Sequence, residues 1–412
     1  MANRSWTRIY LNKIPERSFW IGLLIATLYL SYRYPLQINS STTSPVYADT
    51  PTSLQVGKFI LIFLTCCVSA PFLFFRRLSR FQLGIIVLTI AIFCYPLLKM
   101  LDTFDSRYMD VSFWPLAALI LVIPLKRIDL RAIDNYLKLV LWLTFVSNLV
   151  EVGLFVFYGR LPALAFSGSL SVRFGGFLDD PNGFAAIIFL LMGWAFFRFR
   201  GKTRFFIQLA LVVCVMITES LTAIGFLGAL IVFVACWQLL RKPLSIMWIG
   251  LLSGFILVIM KITDAFEIIN LIIRLKADSA TDHLSIPWSS LIDGWIGWIF
   301  LGKTSYEFYE SWWVSSLISF GALWYVGNLV LTLVLGHSVW RTFRSYPPGK
   351  EKSVLAGILL LGIYVVVGSA NLPFFAIFPI NFLFYLFCFL IVFQEASERK
   401  MRRETSPSLA FG

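Results

Sequence analysis

The chain has 412 residues, of which 58% are hydrophobic and only 14% charged, and its mean hydropathy is +0.80. This composition excludes a soluble globular protein, in which about a quarter of the residues are charged. The formal net charge of +13 fits basic loops that face anionic lipid, and it gives no reason to expect nucleic-acid binding.

Twelve apolar segments follow one another along the chain, most of them close to the 20 or so residues that cross a hydrocarbon core about 30 Å thick. The first is long, lacks a convincing small-residue cleavage site and is followed by many others, so we do not expect a cleavable signal peptide. The fold class predicted is an all-α polytopic membrane protein with about 12 transmembrane helices. The segments lie at 19–37, 56–75, 81–100, 111–125, 136–157, 183–198, 204–218, 221–240, 244–263, 314–340, 354–371 and 374–393.

Most of the 35 Lys and Arg residues fall into a few clusters, and two apolar segments separate each cluster from the next. All clusters are therefore predicted on one side of the membrane, and Lys and Arg mark the cytoplasmic side. Both termini are then cytoplasmic, with residues 1–412 forming a single transmembrane domain and 397–412 a short cytoplasmic tail. The clusters are Arg4–Arg17, Arg76–Arg80, Lys126–Lys138, Arg198–Arg204, Arg241–Lys242, Arg341–Lys352 and Arg399–Arg403.

This orientation places two long loops outside the cell, at 158–182 and 264–313. They hold most of the extracytoplasmic polar groups, so we expect function to lie there. All six cysteines fall inside predicted spans, and no Cys–His spacing resembles a metal site, so neither a metal nor another cofactor is expected. The shorter outer connections are predicted at 38–55, 101–110, 218–220 and 371–373.

The first long loop ends in Arg173–Gly176 (RFGG) and Asp180–Asn182 (DPN), just before a span that runs inward. The N-terminus of that helix faces outward with a partial positive charge, and an Arg beside it would form an anion site suited to a lipid diphosphate. The structural alternative is an Asp N-cap, Pro181 at the first helical position and a merely solvated Arg. The two glycines are expected to allow close backbone approach.

The second long loop begins with apolar residues at helical spacing over Ala265–Lys276, which predicts an interfacial amphipathic helix carrying Arg274. Arg274 could equally be solvated or bound to lipid headgroups. Five Trp residues of this loop suit an aromatic belt, although Trp faces also stack on sugar rings. They are Trp288, Trp295, Trp298, Trp312 and Trp313.

The RFGG and DPN motifs, followed by Ala185–Ala186, resemble the signature of the O-antigen ligase and polysaccharide polymerase family. The next connection, Ile217–Leu221, resembles that family's Thr-x-Ser-Arg step, with Leu221 where Arg is usual. The resemblance covers roughly residues 136–340 and rests on few fixed positions. It implies a polymerase of the bacterial inner membrane that joins polyprenyl-diphosphate-linked oligosaccharides outside the cell, with a chain-length regulator and export proteins as possible partners.

The resemblance also implies roles for particular residues. Arg274 resembles the family's second functional Arg, so Arg173 and Arg274 would bind the diphosphate. Glu310 occupies a place where members have His-Asn or an acidic residue, and it is the candidate base for the attacking sugar hydroxyl. His283, which lies elsewhere in the loop, departs from the ligase pattern. The supporting candidates are Asp180, Asn182, Arg160, His283 and Asp293.

Such a reaction needs one base and two cations, because the diphosphate is already a good leaving group. A single displacement would invert the anomeric centre, and no Asp-x-Asp motif for a metal-bound nucleotide sugar is present in the loops. Three alternatives remain open: ligase-type transfer to another acceptor, a lipid-linked oligosaccharide flippase or transporter, and a non-catalytic scaffold. Glu151, near the outer end of the fifth span, is the clearest buried charge a transporter could use. Glu310 itself could be a helix-start charge.

Overall fold

The computed structural model describes residues 2–28, 52–125, 129–158, 175–178, 181–218, 220–241, 299–303 and 311–405. Every regular element within these ranges is helical. The described part contains α1 (Ala2–Leu28), α2 (Thr52–Ser69), α3 (Arg80–Thr103), α4 (Arg107–Val122), α5 (Leu130–Tyr158), α6 (Pro181–Arg198), α7 (Gly201–Ile217), α8 (Leu221–Arg241), α9 (Trp312–Ser345), α10 (Lys350–Gly368) and α11 (Ile380–Thr405), with short 3-10 helices at Ala70–Phe75, Gly176–Leu178 and Phe374–Ala376.

Six of the described helices are long and apolar enough to cross a membrane, which makes the chain a polytopic membrane protein. Two others that coincide with predicted spans, α4 and α7, have only 16 and 17 residues. The predicted span at 244–263 lies outside the described residues, so twelve crossings stay a prediction. The six are Val56–Phe74, Arg80–Thr103, Leu130–Gly153, Pro181–Arg198, Trp312–Ser345 and Lys350–Gly368.

Both terminal helices differ from their predicted boundaries. α1 begins at Ala2, well before the predicted start at 19, because the polar residues ahead of the apolar run are also helical. α11 begins at Ile380 and continues to Thr405, so most of the predicted tail at 397–412 extends this helix. The start predicted at 374 was wrong because Phe374–Ala376 forms a separate 3-10 helix.

Helix α6 lies at the centre of the bundle and is buried from Phe184 to Ala195. It crosses α10 through two glycines. A Cβ atom at Gly193 would lie 2.6 Å from the carbonyl oxygen of Ala356, and one at Gly357 would lie 2.7 Å from that of Leu190. Because neither position carries a side chain, the two backbones pack directly against each other, as small residues allow in membrane helix pairs.

Helix α3 is joined to α9 through a carbonyl that a proline leaves unpaired. Pro96 lies inside α3 and has no N–H, so the carbonyl of Ile92, four residues earlier, loses its helical donor. The indole nitrogen of Trp324 in α9 donates to that oxygen at 2.7 Å. The carbonyl that the proline leaves without a helical donor therefore forms a contact between α3 and α9.

Several basic clusters meet at one end of the bundle, which we call the basic end. Arg131 Nε lies 2.9 Å from Glu351 Oε1, and this contact joins the clusters at 126–138 and 341–352. Arg76 donates to the carbonyls of Ile123 and Phe393, each at 2.6 Å, at the ends of α4 and of the apolar part of α11. Clusters that share one side of the membrane must lie at one end of the bundle, as these do. Which side of the membrane they face stays a prediction.

Candidate functional site

Only one of the eight candidate residues, Asn182, falls within the described part of the chain. It is partly exposed in the first turn of α6, which begins at Pro181 as predicted. The structure also describes the chain next to two others, because Gly175 follows Arg173 by two residues and Ser311 follows Glu310 directly. The candidates outside the described residues are Arg173, Arg274, Glu310, Asp180, Arg160, His283 and Asp293.

The segment Gly175–Leu178 is buried and fixed in place by α5 and α6. The backbone N–H of Gly176 donates to Glu151 Oε2 at 2.9 Å, and Glu151 is itself only 4% exposed. A buried carboxylate is costly unless hydrogen bonds compensate its lost hydration, and this backbone N–H supplies one. The predicted burial of Glu151 is confirmed, and its side chain holds the chain just after Arg173.

Gly176 also confirms the predicted close backbone approach. Its φ of 56° lies in the left-handed region, where residues other than glycine are strained. A Cβ atom here would overlap the ring of Phe184 in α6. Phe177 packs edge-on against the same ring with 5.6 Å between centroids. The position of the Arg173 loop end relative to α6 is therefore set by contacts that tolerate only glycine.

The Thr-x-Ser step between α7 and α8 forms a buried turn. Thr218 Oγ1 donates to the Val215 carbonyl at 2.7 Å and accepts from the Ser220 N–H at 3.3 Å. Ser220 Oγ accepts from the N–H of Ala223 at 3.3 Å and so acts as the N-cap of α8. Both hydroxyls have structural partners, which explains this part of the motif without substrate contact.

The starts of α8 and α9 meet the end of α10 at the end of the bundle opposite the basic end. The N–H of Trp312 donates to the Ser369 carbonyl at 3.0 Å. Asn371 Nδ2 donates to Thr222 Oγ1, also at 3.0 Å. The chain immediately after Glu310 is therefore attached to the connection that follows α10.

Trp312 is a core residue, so its prediction as a belt or sugar-stacking residue was wrong. The side chain is 1% exposed, and its ring packs against Trp324 at 6.0 Å and Phe375 at 6.1 Å between centroids. Sequence spacing does not show these contacts, because Gly321 interrupts the helix between Trp312 and Trp324, and Phe375 belongs to the separate 3-10 helix after α10. Trp313 is partly exposed, and its Nε1 donates to the Val366 carbonyl at 3.2 Å.

The loop ends next to Arg173 and Glu310 lie at the same end of the bundle. Helices α6 and α10 are antiparallel, and Gly193 lies against Ala356. Twelve residues from this contact, towards the start of α6 and towards the end of α10, Pro181 is level with Gly368. Ser369, the next residue, holds Trp312. This placement is what a site shared by both loops requires.

Helix α9 is interrupted near this end. Gly321 has a φ of 82° and non-helical geometry, and the segment 299–303 occupies the break. The N–H of Ala322 donates to the Ile299 carbonyl at 2.6 Å, and that of Lys303 donates to Ile318 at 2.7 Å. Non-helical backbone inside a membrane protein needs such internal partners.

Lys99 of α3 binds both sides of this break, and sequence reasoning missed it. Its Nζ donates to the Ser319 carbonyl at 2.6 Å and to the Lys303 carbonyl at 2.7 Å. The ammonium thus lies at the C-terminal end of the first half of α9, where the helix dipole favours a cation. Tyr95 adds a 2.5 Å hydrogen bond from its hydroxyl to the Leu301 carbonyl. A lysine inside the predicted span at 81–100 was the signal that could have found this contact.

Two acidic residues near the start of α4, Asp105 and Asp110, have cationic partners. Arg107 donates to Asp105 through Nε at 3.0 Å and through Nη2 at 2.6 Å. These hydrogen bonds lower the pKa of the Asp105 carboxyl. Asp110 Oδ1 accepts from Trp114 Nε1 at 3.0 Å and lies 3.9 Å from the ammonium of Lys58. Asp110 thus links α4 to α2, whereas the Asp105–Arg107 pair is local to the start of α4.

No protein-family model matches the chain, and no curated protein or solved structure is similar to it. The family resemblance therefore rests on the quoted motifs and their spacing.

Proposed function

We propose that the chain is a polysaccharide polymerase that joins polyprenyl-diphosphate-linked oligosaccharide repeat units at the extracytoplasmic face of a bacterial inner membrane. The observation that carries this proposal is the anchoring of Gly176 and Trp312 at one end of the bundle. Gly176 lies three residues after Arg173, and Trp312 lies two residues after Glu310. Two otherwise distant loops can thereby contribute to one site.

In the proposed reaction, Glu310 accepts the proton of an acceptor hydroxyl as that oxygen attacks the anomeric carbon of the donor. The bond from the anomeric carbon to the diphosphate oxygen breaks in the same step, so the configuration inverts. Arg173 and Arg274 bind the diphosphate and offset the charge that develops as it leaves. The polyprenyl diphosphate departs as the second product, and the growing glycan stays on the acceptor's own lipid.

The described contacts support this scheme by restricting both loops. Glu151 and Phe184 fix the backbone that follows Arg173. Lys99 and the glycine pair at 302 and 321 fix the segment that enters the break in α9, seven residues before Glu310. Functional groups act best when rigid elements hold them near the productive geometry.

A flippase for the same lipid-linked oligosaccharide is the second candidate. Discontinuous helices are common at the binding sites of transporters, and α9 is discontinuous with a lysine at its break. Ligase-type transfer to a different acceptor uses the same chemistry as the polymerase and differs only in the acceptor.

The test uses purified protein in liposomes with synthetic lipid-diphosphate repeat units, and chain length is followed over time. We expect chain growth. Glu310→Gln should slow it about a hundredfold or more while donor binding is retained, and Glu307→Gln is the matched control. Arg173→Lys and Arg274→Lys keep the charge but lose the planar fork, and each should cost about tenfold.

Each alternative predicts a different result in this assay. Transfer of the lipid-linked unit across the bilayer without any chain growth would establish a flippase and remove the polymerase. Growth at the parental rate with Glu310→Gln would remove Glu310 as the base, and His283 and Asp293 would then be the residues to replace.

A further inference from the structure

A cavity of about 470 Å³ opens at the basic end, between the connections α6–α7 and α9–α10. This volume lies within the range of about 300–1,000 Å³ typical of small-ligand sites. Three cationic residues contribute to its lining, Arg198, Arg200 and Lys350, together with the hydroxyl residue Thr203. None of the described residues that line it is acidic. The lining therefore favours an anion.

Two carboxylates close to lining residues in the chain or in space, Asp134 and Glu351, are paired with cations. Asp134 is fully buried behind the cavity, 3.0 Å from Arg198 Nε and 3.3 Å from Lys138 Nζ. These three groups together carry one positive charge. Glu351, beside Lys350, is bonded to Arg131 at 2.9 Å. Asp129 interacts with the Arg131–Glu351 pair and offsets the remaining positive charge. Arg200 and Lys350 then supply the net positive charge at the cavity.

The backbone adds to this field. Helix α7 begins at Gly201 and α10 begins at Lys350, directly beside the lining residues, and neither N-cap residue makes a side-chain capping hydrogen bond. A helix N-terminus carries a partial positive charge of about one half. Side chains and helix ends together fit an anion of about two negative charges.

The surface next to the cavity is apolar and identifies the kind of molecule that carries the anion. Phe196 and Phe197 at the end of α6 are about half exposed, and Phe205 and Phe206 in the first turns of α7 are more so. The guanidinium of Arg204 lies 5.0 Å from the ring centre of Phe196. Exposed rings beside cations are typical of the membrane interface, where acyl chains are available to cover them.

We propose that this cavity binds the phosphate headgroup of an anionic phospholipid, with its acyl chains along the exposed phenylalanines. Arg200, Lys350 and the free donors of Arg198 would contact the phosphate oxygens. Basic pockets between helices on the cytoplasmic side of a membrane suit such headgroups. A lipid with two phosphates matches the charge of the site best.

The experiment measures lipid binding to the full-length protein in neutral detergent by native mass spectrometry. Tetraoleoyl cardiolipin is the probe, dioleoylphosphatidylcholine the neutral comparison, and inorganic phosphate the headgroup without a lipid. We expect cardiolipin to bind at least about tenfold more tightly than the neutral lipid. The double variant Arg200→Gln/Lys350→Gln should lose about tenfold to thirtyfold, the effect of removing two interfacial cations.

The matched control is Arg77→Gln/Arg80→Gln, which removes two exposed cations of the same end. It should change cardiolipin binding by no more than about twofold, because neither residue lines the cavity. Equal losses in the two double variants, or equal binding of both lipids, would overturn the proposal. Inorganic phosphate that binds as tightly as cardiolipin would make this a site for a free anion and would overturn the lipid assignment.

Discussion

Replacing Gly176 by alanine tests the contact that fixes the loop end next to Arg173. The substitution adds one methyl group in a place where the backbone has a φ of 56° and where the ring of Phe184 lies directly opposite. Two costs therefore act together. The left-handed conformation costs a non-glycine residue about 1–2 kcal/mol, and forcing a methyl group into a packed site costs about 1–3 kcal/mol.

Alanine also restricts the unfolded chain, which offsets about 0.4–1 kcal/mol of this loss. The net expected destabilisation is about 2–4 kcal/mol. Gly84→Ala is the matched control, because Gly84 lies in α3 and nothing lies within 4 Å of the added Cβ. That change should stabilise the helix by about 0.5–1 kcal/mol. The same chemical change is thus expected to lower stability at Gly176 and to raise it at Gly84.

The assay is thermal unfolding in detergent, followed with a dye that becomes fluorescent on reaction with thiols exposed by unfolding. Gly176→Ala should unfold at a lower temperature than the parent and Gly84→Ala at the same or a higher temperature. If the proposed function holds, chain growth should also fall in Gly176→Ala, since the displaced backbone lies three residues after Arg173. A Gly176→Ala protein as stable as the parent would refute the tight contact with Phe184. The buried thiols are Cys66, Cys214 and Cys388.

Two further predictions concern charged side chains with partners inside the bundle. Lys99→Met removes two charge-assisted hydrogen bonds, each worth about 1.5–3 kcal/mol. Hydrogen exchange at 299–303 should therefore accelerate, while exchange in α6 is unchanged. Equal exchange in variant and parent would contradict the role of the ammonium. Asp134→Asn weakens the hydrogen bonds of Arg198 and Lys138 to this buried side chain and should cost about 1–3 kcal/mol in thermal or denaturant unfolding. Glu351→Gln breaks a more exposed pair and should cost less than about 1 kcal/mol; similar losses in the two variants would contradict the difference in burial.

The helices were predictable because an apolar run of about 20 residues is a local signal, and the packing between them was not. Gly193 and Gly357 are unremarkable glycines in the sequence, and only the crossing of α6 and α10 shows why they lack side chains. Lys99 is visible as a charge in a span, but its partners lie more than 200 residues further along the chain. Trp312 likewise reads as a belt residue until its aromatic neighbours are known.

The candidate site shows the same division between features set by local sequence and features set by packing. Pro181 at the start of a helix and the glycine approach at Gly176 follow from local backbone chemistry, and both were predicted correctly. The short connection at 218–220 was predicted, but the structural role of the Thr218 and Ser220 hydroxyls was not foreseen, because a hydroxyl that caps a helix and one that binds a substrate are identical in sequence. Which partner a hydroxyl finds depends on the local fold.

The break in α9 bears on the choice between glycosyl transfer and transport. Alternating access would require the elements around a binding site to exchange between two packings. At this break the carbonyls of Phe300 and Ser319 lie so close to Gly321 and Gly302 that a methyl group at either glycine would overlap them. Hydrogen bonds from Lys99, Tyr95 and two backbone N–H groups close the remaining gaps. Each such bond is strong in apolar surroundings, so opening the break without new partners would be costly. A junction this tightly held suits an enzyme such as the proposed polymerase, whose site keeps one geometry while substrates bind and products leave.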